Sequence, residues 1–178
     1  MGGFMTPGQL ARNGSEHAEQ VAVFAWSNMA MSFGKVAASD DLSYKVAGWA
    51  KRYVEEGLSK PEPCLKWLHA IPNGGARGDS KKSNQIRGSA LKAEGVKKGV
   101  SDIFLPAARG GCCGLYIEMK VEDEKKAKLS DEQVEFGKYV ISQGYKFVVC
   151  YGWKSAVYEL ESYIALEKTK TLIHSDGL

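Results

Sequence analysis

Apolar and polar positions along the chain switch between a helical and a strand-like period, and the switches outline the elements. Residues 1–14 mix Gly, Pro and polar side chains with no period and predict a flexible N-terminal tail. From Ser15, a candidate N-cap with Glu16 in the first turn, SEHAEQVAVFAWSNMAM predicts a helix, with Val23, Phe24, Trp26 and Met29 crowding its later turns. Residues 32–41 are more polar and predict a linker. Residues 43–57 predict a second helix stopped at Gly57, and SKPEP breaks the chain after it. CLKWLHAIP alternates, with Trp67, His69 and Ile71 on one side and Leu68 and Ala70 on the other, so 64–72 predict a strand stopped by Pro72-Asn73-Gly74-Gly75. A basic helix is predicted over 83–94.

The second half has the stronger grammar. SDIFLPA (101–107) and LYIEMKV (115–121) predict two strands joined by the Gly-rich ARGGCCG. The charged run 122–128 leads to a helix over 130–143 closed by Gly144, then a strand KFVVCYG, then a helix from about Lys154 to Leu166. Phe147, Tyr151, Trp153 and Tyr158 are expected in its core. Helices interleaved with short strands predict an α/β domain with a mixed central sheet flanked by helices.

Composition changes this picture little. The 178 residues suffice for one domain with a core of its own, and 44% hydrophobic with 25% charged residues excludes a disordered chain. No apolar run is long enough to span a membrane, and the N-terminus lacks a signal-peptide layout, so a cytoplasmic protein is expected. Cys64, Cys112, Cys113 and Cys150 show no zinc-ligand spacing and are read as reduced thiols. The net charge of +3 names no partner, but it is unevenly spread. Residues 77–98 hold Arg77, Lys81, Lys82, Arg87, Lys92, Lys97 and Lys98 against Asp79 and Glu94, a local net of +5. Such a stretch suits phosphate contact, and Asn73-Gly74-Gly75 would let main-chain N–H groups approach a phosphate. A solvated helix face and a plain turn are the alternative.

The 101–121 hairpin carries the candidate chemistry. If its loop centres on Gly110-Gly111, facing residues have numbers summing to 220: Leu105 meets Leu115 and Asp102 meets Glu118. Directly opposed residues share a sheet face with Cβ atoms about 4.5–5.5 Å apart. Lys120, two positions beyond Glu118, falls on the same face. Two facing carboxylates repel unless a cation lies between them, and an oxygen-only site suits Mg²⁺ or Mn²⁺. A lysine beside them can orient an attacking water or offset charge growing on a phosphate, so the trio points to metal-assisted phosphodiester hydrolysis. The alternative is an ordinary surface pair on a half-exposed strand. His69 is expected to be packed or partly buried and to play no catalytic part.

IPNGGARG, LKAEGVKKGVSDIFLP, GLYIEMK, LSDEQ and QGYKFVVCYGWKSAVYELESYI, in that order, resemble the VRR-NUC family of the PD-(D/E)XK nuclease superfamily, in particular its stand-alone, phage-type members. The resemblance covers residues 15–31 and 67–165 and sets 32–66 apart as an insertion in a domain running over 15–166, with 167–178 as a tail. It implies a restriction-endonuclease-like core and a Mg²⁺- or Mn²⁺-dependent nuclease acting on branched DNA, such as junctions and flaps, as a homodimer. By the same resemblance Asp102 and Glu118 are metal-binding acids, the Met119 backbone carbonyl completes the metal shell, and Lys120 positions the attacking water. Glu16 resembles the first-helix acid, with Glu19 as the alternative, and Gln133 matches a family position beside the site. The DNA contacts expected are Asn73, Gly74, Gly75, Arg77, Arg87, Lys92, Lys97 and Lys98. One departure is visible: the residue before Asp102 is Ser101, where the family usually has proline. A plain N-terminal acid is the other reading of Glu16, and a capping box with Ser130 that of Gln133. A non-cleaving DNA-binding module and a scaffold protein are the rival functions.

Overall fold

In the computed structural model, which describes residues 4–72 and 89–170, the first helical turn comes earlier than expected. Thr6-Pro-Gly-Gln9 is a capping box. The Gln9 N–H donates to the Thr6 hydroxyl, the Thr6 N–H donates to the Gln9 side chain at 2.9 Å, and Pro7 sits where its missing N–H costs nothing. The result is α1 (Pro7–Leu10), then a 3-10 turn over Ala11–Asn13. Both lie against the next helix, so from residue 7 the expected loose tail is instead a packed element.

That helix, α2 (Glu16–Ala38), starts under Ser15, whose hydroxyl accepts from the Ala18 N–H at 3.2 Å. It buries Val23, Trp26 and Ala30 and continues through most of the expected linker, bending at Gly34. Gly34 has φ +83°, and a Cβ there would lie 2.2 Å from the Lys60 carbonyl. The 43–57 segment is two helices, α3 (Leu42–Lys45) and α4 (Trp49–Glu55), split at Gly48 with φ +79°. Asp40 ties them together by accepting from Trp49 Nε1 at 2.7 Å, the Tyr53 hydroxyl at 2.8 Å and the Leu42 N–H at 3.0 Å.

The strand expected over 64–72 is mostly something else. Pro63 opens a 3-10 turn (Pro63–Trp67), and only β1 (His69–Ala70) remains before Pro72. His69 is exposed rather than packed, edge-on to Phe104. Residues 89–93 are helical and are labelled α5. Then come β2 (Ile103–Leu105), β3 (Leu115–Lys120), α6 (Asp131–Ser142), β4 (Lys146–Tyr151) and α7 (Gly152–Ile164).

The sheet order is β1-β2-β3-β4, antiparallel between the first three and parallel between β3 and β4, with α6 as the crossover. The β2–β3 register pairs Leu105 with Leu115 and Ile103 with Ile117, as the hairpin arithmetic requires. Alternation then divides the strands between two layers. Ile103, Leu105, Ile117 and Met119 pack into the buried cluster with Val23 and Trp26 of α2 and Leu160 and Tyr163 of α7. The opposite face carries Phe104, Tyr116 and Glu118 towards α6, where Phe136 meets Tyr116 edge-on. The aromatic residues of the last strand-helix unit are less buried than expected; Tyr158 is 67% exposed. The supposed C-terminal tail is pinned as far as Thr169: Gly110 N–H donates to the Glu167 carbonyl at 2.9 Å, and Gly111 N–H to the Thr169 hydroxyl at 3.0 Å.

Candidate active site

The ladder places the acids. Extending the β2–β3 register one step beyond Ile103↔Ile117 sets Asp102 opposite Glu118, and the carboxylate of Asp102 bends across the strands to accept the Met119 N–H at 2.8 Å. Met119 itself directs its side chain into the core. Glu118 is only 1% exposed. One of its oxygens, Oε1, accepts from Lys120 Nζ at 2.8 Å and from Gln133 Nε2. The other, Oε2, is buried and has no hydrogen-bond partner among the described residues.

This environment sets the charges. Burial pushes the Glu118 carboxyl up to about 7; the Lys120 hydrogen bond pulls it back, and the nearby Asp102 and Glu16 charges push it further up. Burial alone would lower Lys120. Its hydrogen bond to Glu118 and the charges of Glu118, Glu16 and Asp102 outweigh that, and the ammonium titrates above its usual range. Lys120 is therefore a fixed cation whose Nζ also lies 3.8 Å from Glu16.

The two first-helix acids separate cleanly. Glu16, in the first turn of α2, lines the cleft. Glu19, in the same turn, is buried away from Lys120 and accepts the Trp153 N–H at 2.8 Å, capping the start of α7. Gln133 forms the capping box and also contacts Glu118. As the third residue of α6 it accepts the Ser130 N–H through Oε1, and this orients its amide so that Nε2 points at Glu118.

These groups line one side of a cleft of about 870 Å³, and Leu91, Lys92 and residues 96–100 form another wall. Of the residues expected to contact DNA, Lys92, Lys97 and Lys98 line it. Asn73, Gly74, Gly75, Arg77 and Arg87, with Lys81 and Lys82, lie outside the described residues. Sequence reasoning missed Leu91, Val96, Val100 and Glu132, which also line the cleft. The signal for three of them is the spacing of Gly95 and Gly99, both at positive φ, which folds the chain back onto α6. A Cβ on Gly99 would come within 2.5 Å of the Glu132 backbone, so this loop and the start of α6 are in direct contact. Ser101, before Asp102, is fully buried.

The donor set suits a small, hard cation. No three His, Cys, Asp or Glu side chains among the described residues gather closely enough to hold an ion unaided. Asp102 and Glu118 are two carboxylates, and Mg²⁺-type sites commonly use one or two, completing the shell with water and substrate phosphate. Oε2 of Glu118, buried and without a hydrogen-bond partner among the described residues, leaves one oxygen of that carboxylate open to such an ion while Lys120 engages the other.

A mixed sheet flanked by helices, with two acids and a lysine at the end of an antiparallel ladder, defines an α/β domain of the nuclease type. The chain belongs to the VRR-NUC family, whose domain model matches residues 49–154. That match begins at Trp49, inside the 32–66 segment set apart as an insertion, and the α2 acid Glu16 lies outside it. Among solved structures, a VRR_NUC domain protein superposes with a TM-score of 0.57 over 88% of this chain and 93% of its own, at 21% identity, a likeness of fold. No curated protein matches the chain. Among the described residues, no helix is long and apolar enough to cross a membrane.

Proposed function

We propose that this protein is a divalent-metal-dependent deoxyribonuclease, selective for branched DNA such as junctions and flaps and acting as a homodimer. The carrying observation is the facing pair Asp102 and Glu118, with Lys120 bonded to one oxygen of Glu118 and the other oxygen unpartnered among the described residues, at the side of a lysine-lined cleft. Asp102, Glu118 and the Met119 carbonyl would hold Mg²⁺ or Mn²⁺, with Glu16 at the edge. Such an ion supplies Lewis acidity to the scissile phosphate when bound.

The chain's own groups account for the rest. Lys92, Lys97 and Lys98 hold the phosphate backbone. Lys120, kept protonated by its carboxylate neighbours, orients the attacking water and offsets the charge that grows on the phosphate as the water oxygen adds and the opposite P–O bond breaks. Gln133 fixes the rotamer of Glu118, and Glu16 limits the freedom of Lys120 Nζ. A homodimer suits branched substrates, because two cuts in a junction need two sites.

Incubating the full chain with flap, junction and linear DNA, in Mn²⁺ or in EDTA, tests this reading. Cutting is expected in Mn²⁺ alone, on branched DNA first, and Asp102→Ala is expected to abolish it. If no substrate is cut, or Asp102→Ala cuts like the parent, the nuclease reading fails. DNA binding retained in EDTA would then indicate a non-cleaving module, and no binding a scaffold protein.

A further inference from the structure

The cleft has a side that phosphate chemistry does not need. Leu91, Val96 and Val100 line it together with the lysines, each half-buried and none part of the hydrophobic core. Local backbone geometry explains how they come to stand together. The helix α5 ends in a Schellman arrangement: Gly95, at φ +91°, donates to the Lys92 carbonyl at 3.1 Å, and Val96 N–H donates to the Leu91 carbonyl at 2.9 Å. That motif brings the side chains at its two ends, Leu91 and Val96, side by side. Gly99 then returns the chain against Glu132 and leaves Val100 in the same cleft, just before Asp102. The Schellman contact accounts for Leu91 meeting Val96. It does not account for both of them, and Val100, lining the cleft that holds Glu118, Asp102 and Lys120.

We infer that this wall receives the base of an unpaired nucleotide next to the scissile phosphate, so that the enzyme acts where a strand is frayed or branched. The inference rests on the nuclease reading and narrows its substrate. Phosphate and sugar offer oxygen and charge to a binding site; the extended apolar surface of a nucleotide is the face of its base. In a duplex both faces are covered by stacked neighbours and only the edges are open, whereas an unpaired base can swing out and lay a face on an apolar wall. A cleft of about 870 Å³ lies within the range of about 300–1,000 Å³ that encloses small molecules, so it admits a nucleotide and not only a phosphate group. The lysines at 92, 97 and 98 then hold the flanking backbone while the wall selects strands whose base is available.

Two measurements test this. Two branched substrates are made that differ only in whether the nucleotide at the cut position is paired. The parent chain in Mn²⁺ is expected to cut the unpaired form about tenfold faster or more, and Leu91→Ser with Val96→Ser to bring that ratio close to one. Because the double variant disturbs the Schellman contact and can loosen the loop, 2-aminopurine is also placed at the branch nucleotide and read on binding the unaltered protein in EDTA. Its fluorescence is expected to rise severalfold as the base leaves its neighbours. Equal cutting of both substrates, an unchanged preference in the folded double variant, or no fluorescence change overturns the inference and leaves the nuclease reading standing. No cutting of any substrate in Mn²⁺ removes the nuclease reading, and the fluorescence then decides on its own whether the wall takes a base.

Discussion

Gln133 does two jobs with one amide, and they can be separated. Its Oε1 closes the capping box of α6, while its Nε2 donates to Glu118. Gln133→Ala loses both, at a cost of about 1 kcal/mol for the hydrogen bond to the Ser130 N–H. Gln133→Glu keeps an acceptor for the Ser130 N–H but turns the donor facing Glu118 into a second carboxylate. If Gln133 served only the helix, Gln133→Glu would cut DNA like the parent. The expected outcome is a loss at least as large as in Gln133→Ala, of about 10–100-fold, the usual cost of disturbing a group that orients a metal ligand. Single-turnover cleavage, with melting curves to show that α6 survives, checks it. At this scale the sequence was legible where geometry is local. The facing of Asp102 and Glu118 follows from counting residues either side of a Gly-Gly turn. The choice between Glu16 and Glu19 does not, because both stand in one helical turn. What takes Glu19 away is the N–H of Trp153, 134 positions further along.

Elements were legible where one period ran without interruption. β3 and α6 lie close to their predicted bounds because their apolar alternation, capping box and terminal glycine agree with one another. The failures all involve punctuation whose meaning depends on distant chain. Thr6-Pro7, read as part of a loose tail, starts a helix, Pro63 cuts a predicted strand to two residues, and the linker read over 32–41 is mostly helix, bent at Gly34. Gly34 shows why local propensity was not enough: it lets α2 pass the Ser59 hydroxyl and the Lys60 backbone, which no 15-residue window contains. Gly34→Ala should therefore destabilise the chain by about 2–4 kcal/mol, combining the strain of a positive φ with a Cβ placed inside the Lys60 carbonyl. Urea unfolding measures it. Glu16 lies 18 positions away, about 27 Å along the helix at 1.5 Å per residue, so cleavage per folded molecule should be unchanged. A loss of activity without a loss of stability would mean that α2 transmits the bend to the site.

For the molecule as a whole, the buried acid sets fold stability and metal occupancy against each other. The net charge of +3 hides this, since what matters is one carboxylate held out of water, with other acids near it. The folded Glu118 carboxyl titrates near 7, above its ordinary 4.5. Below pH 4.5 it is neutral in both the folded and unfolded chain, and its share of stability is fully present. As the pH rises through 7 the folded form must bury a charge, and that share is lost. Lys120, shifted upward from 10.5, keeps its share throughout this window and adds no slope. In EDTA the melting temperature of the parent should therefore fall between pH 5.5 and 8 more steeply than that of Glu118→Gln, which has no proton to lose there. A divalent cation binds the ionised form, so its effect has the opposite slope. With Mn²⁺ at about a hundredfold over its Kd, linkage gives about 2.7 kcal/mol, or about 5–10 °C for a chain of this length. That gain should appear at pH 8, shrink towards pH 5.5, and be largely absent in Glu118→Gln. A parent whose stability in EDTA rises from pH 5.5 to 8 relative to Glu118→Gln would contradict the buried, under-neutralised state of Glu118. A Mn²⁺ response that survives Glu118→Gln would place the ion elsewhere in the molecule. The same oxygen that weakens the metal-free fold at neutral pH is thus the one that would draw the ion in.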